Sequence, residues 1–107
     1  MLKFIQTHAA GGDCTAPYDV ILDKPYTVGE FINEVLTTRS NEWGEFIVRR
    51  KGSGFLDRMA SAEYRYGEMK NRNGEKTAIP EEFASLPIKE VKAAGGWSRM
   101  DYDLIID

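Results

Sequence analysis

The chain is poor in the residues that build metal and nucleophilic sites. Its 107 residues include one cysteine, Cys14, and one histidine, His8. A single cysteine excludes an internal disulfide, and these two residues fall short of the roughly four ligands of a structural zinc site. The sequence therefore predicts no cofactor and no bound metal, and its cysteine usage gives no sign of an oxidising compartment.

Long apolar runs are also missing. No stretch approaches the roughly 20 apolar residues of a transmembrane helix, and residues 1–6 are too short an apolar run for a signal peptide. The net charge of −3 gives no overall attraction to nucleic acid or anionic lipid. We therefore expect a cytoplasmic protein that has no membrane partner.

The composition is that of an ordinary globular domain. Hydrophobic residues make up 42% of the chain and charged residues 29%, and the length is near the commonest domain size. We expect one α+β domain that covers residues 1–107. No catalytic or cofactor motif stands out, which favours a protein that is not an enzyme.

A capping box is the clearest local signal in the sequence. Thr27 is followed three residues later by Glu30, so each side chain can bond to the backbone amide of the other. Apolar residues then recur at helical spacing, at Val28, Phe31, Ile32, Val35 and Leu36. This pattern predicts an amphipathic helix that begins near residue 27 and ends near residue 38.

The rest of the chain alternates as strands do. The alternation predicts strands over residues 2–7, 18–23, 43–50, 63–69 and 99–107, and a short helix after Pro80. Residues 88–94 fit either a strand, which we favour, or a continuation of that helix. The order of hairpin, helix and further strands resembles a β-grasp (ubiquitin-like) sheet, in which the last strand pairs in parallel beside the first. We expect an α+β fold with one principal helix packed on a mixed, mostly antiparallel sheet.

Four isoleucines lie among polar neighbours on strands whose other face is apolar: Ile5, Ile21, Ile47 and Ile105. On neighbouring strands in register they form an apolar stripe on the face away from the helix, and such a patch typically marks an interface. Phe55 and Trp97 complete the predicted interface. In the alternative interpretation, the long segment over residues 51–62 folds back and covers the stripe.

These isoleucines give the first functional hypothesis. The chain is predicted to be a non-catalytic protein-interaction module whose partner is an unknown protein or a second copy of itself. On this hypothesis, Ile47→Glu leaves the fold intact and abolishes partner binding. An unfolded variant would instead assign the stripe to the core.

A basic turn gives the second hypothesis. Arg49, Arg50 and Lys51 precede a Gly-Ser-Gly segment whose backbone amides can converge on an anion. Tyr64 and Tyr66 follow and are available for stacking. The alternative function is therefore a nucleic-acid-binding module. The pattern differs from a phosphate-binding loop, so a solvated turn is the competing interpretation.

The short loop between His8 and Cys14 gives the third hypothesis. A cysteine nucleophile needs a nearby base, and His8 is the only histidine in the chain. The second alternative is a small enzyme that uses His8 and Cys14. The competing interpretation is structural, with His8 at a strand end and Cys14 as a small loop residue.

Overall fold

The structure is a computed structural model, and it describes residues 1–9, 15–52, 56–71 and 73–107. Within these ranges, six strands and two helices form. They are β1 (Lys3–Gln6), β2 (Ala16–Ile21), α1 (Val28–Thr38), β3 (Trp43–Lys51), β4 (Leu56–Arg65), α2 (Glu81–Ala84), β5 (Glu90–Gly96) and β6 (Arg99–Ile106).

The strands form one mixed sheet in the order β1-β2-β5-β6-β3-β4. Only the β3–β6 pair is parallel, and the other neighbours are antiparallel. The predicted α+β class, with one principal helix on a mostly antiparallel sheet, is confirmed. The β-grasp order differs, because β6 pairs in parallel with β3 while β1 lies at the edge. The buried β6 side chains need a central position, which the mostly exposed β1 does not need.

Helix α1 begins at the predicted capping box. The Thr27 hydroxyl accepts from the Glu30 amide at 3.2 Å, and the Glu30 carboxylate accepts from the Thr27 amide at 2.8 Å. Tyr26 packs edge-on against Phe31, with 6.0 Å between the ring centroids. The helix buries Val28, Phe31, Ile32 and Val35 against one face of the sheet.

Aromatic rings form the centre of the core between α1 and the sheet. Phe46 on β3 stacks on Tyr64 of β4 and on Tyr102 of β6, with centroids 4.4 and 5.5 Å apart. Phe31 of α1 meets Tyr102 edge-on at 5.5 Å. These contacts tie the helix to the three strands at the parallel end of the sheet.

Two predicted strands have clearly different bounds in the structure. Strand β4 runs from Leu56 to Arg65 through a register shift at Val48 and Arg49 of β3, so it begins seven residues before the predicted strand 63–69 and ends four residues before the predicted end. Such a bulge breaks the two-residue period by one residue. Strand β5 extends through Gly95 and Gly96, two residues beyond the predicted end at residue 94, and the turn is Trp97-Ser98.

Candidate functional site

The structure separates the four isoleucines into two pairs on the face away from α1. Ile5 and Ile21 are 44% and 48% exposed, whereas Ile47 and Ile105 are 9% and 1% exposed. Lys92 bonds to Asp19 at 3.2 Å between the two pairs, and Arg49 bonds to Asp103 at 2.8 Å beside Ile47 and Ile105. The outer face therefore carries ion pairs among its apolar side chains and has no continuous apolar stripe. The interface role of these isoleucines stays a prediction, and Ile5 and Ile21 are the exposed pair.

The burial of Ile47 changes the result expected for substitutions there. We expect Ile47→Ala to lower the free energy of unfolding by about 2–4 kcal/mol, because it removes buried methyl groups and leaves a cavity. The exposed Ile5 is the matched control, and Ile5→Ala should change it by less than about 0.5 kcal/mol. Urea unfolding of both variants checks the difference. Equal effects would show that Ile47 is not packed, and for the same reason Ile47→Glu is expected to destabilise the fold.

The predicted basic turn is the end of a strand. Because neighbouring strand residues point to opposite faces, Arg49 lies on the outer face beside Asp103 while Arg50 lies on the α1 face. Among the described residues, Arg50 Nε is the buried side-chain polar atom without a hydrogen-bond partner. Lys51 is exposed. The structure thus does not bring the three cations together.

The other predicted site residues give little chemistry. His8 is exposed, and both Cys14 and Phe55 lie outside the described residues. Within the described ranges, no group of three His, Cys, Asp or Glu side chains is placed to hold a metal ion. In the same ranges, no helix has the length and apolar character needed to cross a membrane.

One end of the sheet gathers aromatic and cationic side chains that the sequence hypotheses did not join. Strand β3 begins at Trp43, whose register partners are Arg65 at the end of β4 and Arg99 at the start of β6. Tyr66 follows Arg65, and Trp97 occupies the β5–β6 turn beside Arg99. We call Trp43, Arg65, Tyr66, Trp97 and Arg99 the aromatic end.

Trp43 is flanked by arginines on both neighbouring strands. The Arg99 guanidinium carbon lies 5.0 Å from the centre of the Trp43 ring, within the range of a cation–π interaction. Arg99 also bonds to Asp101 at 3.1 Å. Two shallow clefts of about 270 and 280 Å³ flank Trp43, and Tyr66 and Arg65 line the second. Trp43 and Tyr66 wall the second cleft, whereas charged side chains from β3, β4 and β6 line most of the first.

The backbone is strained at the two exposed aromatic residues. Tyr66 has φ of 48° and Trp97 has φ of 59°, and they are the non-glycine residues with positive φ in the described part of the chain. Both rings face solvent, at 63% and 95% exposure. The left-handed conformation costs about 1–2 kcal/mol for an ordinary residue, and such strain clusters at functional sites.

A buried carboxylate holds the backbone behind the aromatic end. Glu42 accepts from the Tyr102 hydroxyl at 2.9 Å and from Arg39 Nε at 2.7 Å, while its carbonyl accepts from the Tyr66 amide at 2.9 Å. Burial raises the pKa of Tyr102, so its hydroxyl stays a donor. The connection from α1 to Trp43 and the end of β4 are thereby fixed to the core.

Comparisons with protein-family models, with curated proteins and with solved structures find no match for this chain. Of the aromatic end, the sequence hypotheses assigned Trp97 to a protein interface and Tyr66 to stacking on nucleic acid. The other three members come together only through the register of three strands: Trp43, Arg65 and Arg99. The position of Trp43 at the start of a predicted strand gave no signal of its arginine neighbours.

Proposed function

We propose that this protein is a non-catalytic protein-interaction module that binds its partner through the aromatic end. The observation that carries the proposal is the pairing of exposure with strain at Tyr66 and Trp97. Folding gains nothing from a solvated tryptophan in a left-handed conformation. A binding partner that covers the ring would offset the cost of that conformation with binding energy.

The chemistry of the aromatic end supports this function. Tryptophan, tyrosine and arginine dominate the binding energy of interfaces, and here they lie together. The side chains project from strand ends and a two-residue turn, both held by the sheet, so little ordering is needed on binding. The partner would bury these rings.

The Trp97→Asn variant tests the proposal, because asparagine tolerates the left-handed region better than tryptophan does. We expect the free energy of unfolding to rise by roughly 0.5–1 kcal/mol while partner retention from a nuclease-treated lysate of the source cells falls at least about tenfold. Ile21→Thr is the matched control, since it removes an exposed apolar side chain from the outer face and keeps a good strand former.

The two variants separate the competing surfaces. Loss of the partner in Trp97→Asn alone supports the aromatic end. Loss in Ile21→Thr alone moves the interface to the exposed isoleucines, and retention by both variants contradicts the proposal. Material that is retained from an untreated lysate, and is lost after nuclease treatment or at higher salt, would favour the nucleic-acid alternative.

A further inference from the structure

The aromatic end is rich in hydrogen-bond donors. Neither the Trp43 nor the Trp97 indole N–H, nor the Tyr66 hydroxyl, makes a hydrogen bond to the described residues, and Arg65 makes no ion pair with them. Each of these groups can donate to a ligand. A complementary ligand therefore presents carbonyl or other acceptors and few donors of its own.

The adjacent row of side chains argues against an anionic ligand. Cross-strand register places Glu45 beside Glu63, and the Glu45 amide donates to Asp101 at 2.9 Å. The 270 Å³ cleft is lined by Glu45 and Glu63 together with two arginines, so its charges balance. The cleft therefore offers no net attraction to phosphates or to an acidic peptide.

Proline-rich segments satisfy both conditions. Proline supplies a carbonyl acceptor and no N–H, and a polyproline II helix leaves its carbonyls unbonded. Its rings pack on aromatic side chains, as in the grooves that recognise such segments elsewhere. We propose that the aromatic end binds a proline-rich segment in the polyproline II conformation, an inference that rests on the proposed interaction function.

The dimensions of the aromatic end match this ligand. Trp97, Trp43 and Tyr66 lie at the ends of neighbouring strands in the order β5-β6-β3-β4. Strands are spaced about 4.8 Å apart, so the backbone positions that carry the three rings span about 10–14 Å across the sheet. Polyproline II rises about 3.1 Å per residue, so three to five residues span them. The bound segment runs across the strands.

Glu63 supplies the charge preference. It lines the cleft beside Trp43 and forms no ion pair with the described residues, whereas Glu45 is paired with Arg58 at 3.1 Å. A basic residue next to the prolines places its charge beside this carboxylate. The preferred ligand is thus a proline-rich segment that carries a flanking arginine or lysine.

The test is a titration of the full chain with capped decaproline. Binding is monitored through the ¹H–¹⁵N resonances of the two tryptophan indoles. We expect both resonances to shift and to saturate, and a capped Gly-Ser decapeptide to bind at least about tenfold more weakly. Trp97→Asn should weaken decaproline binding at least about tenfold, as read from the Trp43 resonance. An added terminal arginine should tighten binding about threefold, and Glu63→Gln should remove that gain.

Equal binding of decaproline and the Gly-Ser peptide, or no saturable shift with decaproline, overturns the inference. Selection of a random peptide library on the wild type and on Trp97→Asn then separates the two claims. Proline-free peptides that depend on Trp97 would leave the interaction surface standing. If the library yields no peptide whose binding depends on Trp97, the proposed function is contradicted as well. A decathymidine that shifts the indoles more strongly than decaproline would replace the proline-rich ligand with nucleic acid.

Discussion

Gly44→Ala is expected to lower the free energy of unfolding by about 3 kcal/mol or more, among the largest effects of a single substitution. A Cβ atom at this position would lie 2.1 Å from the Met100 carbonyl oxygen and 2.9 Å from the Asp101 carboxylate. The clash is with backbone, so β3 and β6 must separate to accommodate it. Those strands form the parallel pair of the sheet, and they carry Phe46 and Tyr102 at the centre of the core. Urea unfolding followed by circular dichroism measures the loss.

Gly74→Ala is the matched control for this prediction. Gly74 has φ of 79°, and a Cβ built there meets no atom within 4 Å. We expect a cost of about 1 kcal/mol, which comes from backbone conformation alone. If Gly44→Ala were no more destabilising than Gly74→Ala, the close approach of β3 and β6 at Met100 would be wrong.

Glu42→Ala is expected to lower the free energy of unfolding by about 3–5 kcal/mol. The substitution removes a buried acceptor, and it leaves the Arg39 guanidinium and the Tyr102 hydroxyl without their shared partner. The loss combines the Arg39 ion pair with the charge-assisted hydrogen bond from Tyr102, so it exceeds the loss of either interaction alone. Chemical unfolding at neutral pH provides the measurement.

Tyr102→Phe isolates one bond of the same network. It deletes the hydroxyl that donates to Glu42 and keeps the ring stacked on Phe46, so a smaller cost of about 1–3 kcal/mol is expected. A Glu42→Ala variant that loses less stability than Tyr102→Phe would contradict the view that the Arg39 ion pair adds to the bond from Tyr102.

Local sequence patterns were sufficient to predict the helices and strands whose formation depends on residues close together in the chain. The Thr27–Glu30 capping box and the apolar stripe after it predicted α1, because its hydrogen bonds and buried face are set within one helix. The alternation of Met100, Tyr102, Leu104 and Ile106 predicted β6 in the same way. The general α+β class followed from these elements.

Features that depend on distant partners could not be predicted from the same patterns. Strand β6 lies between β5 and β3, and no local signal in its sequence encodes the choice of β3 as the second neighbour. In the sequence, Ile105 shares a strand face with Asp103 and Asp107, which predicts exposure. The structure buries it almost completely. The aromatic end arises only when Arg65 and Arg99 flank Trp43 across three strands.

The central position of the last strand has a consequence for synthesis. Strand β3 meets its β6 partner across 56 residues, as in the bond between Glu45 and Asp101. At about 5–20 residues per second, a ribosome needs roughly 3–11 s to add those residues. Throughout that time, the nascent β3 has an open edge that can pair with another chain. Slow elongation after β4 should therefore increase aggregation of the newly made protein.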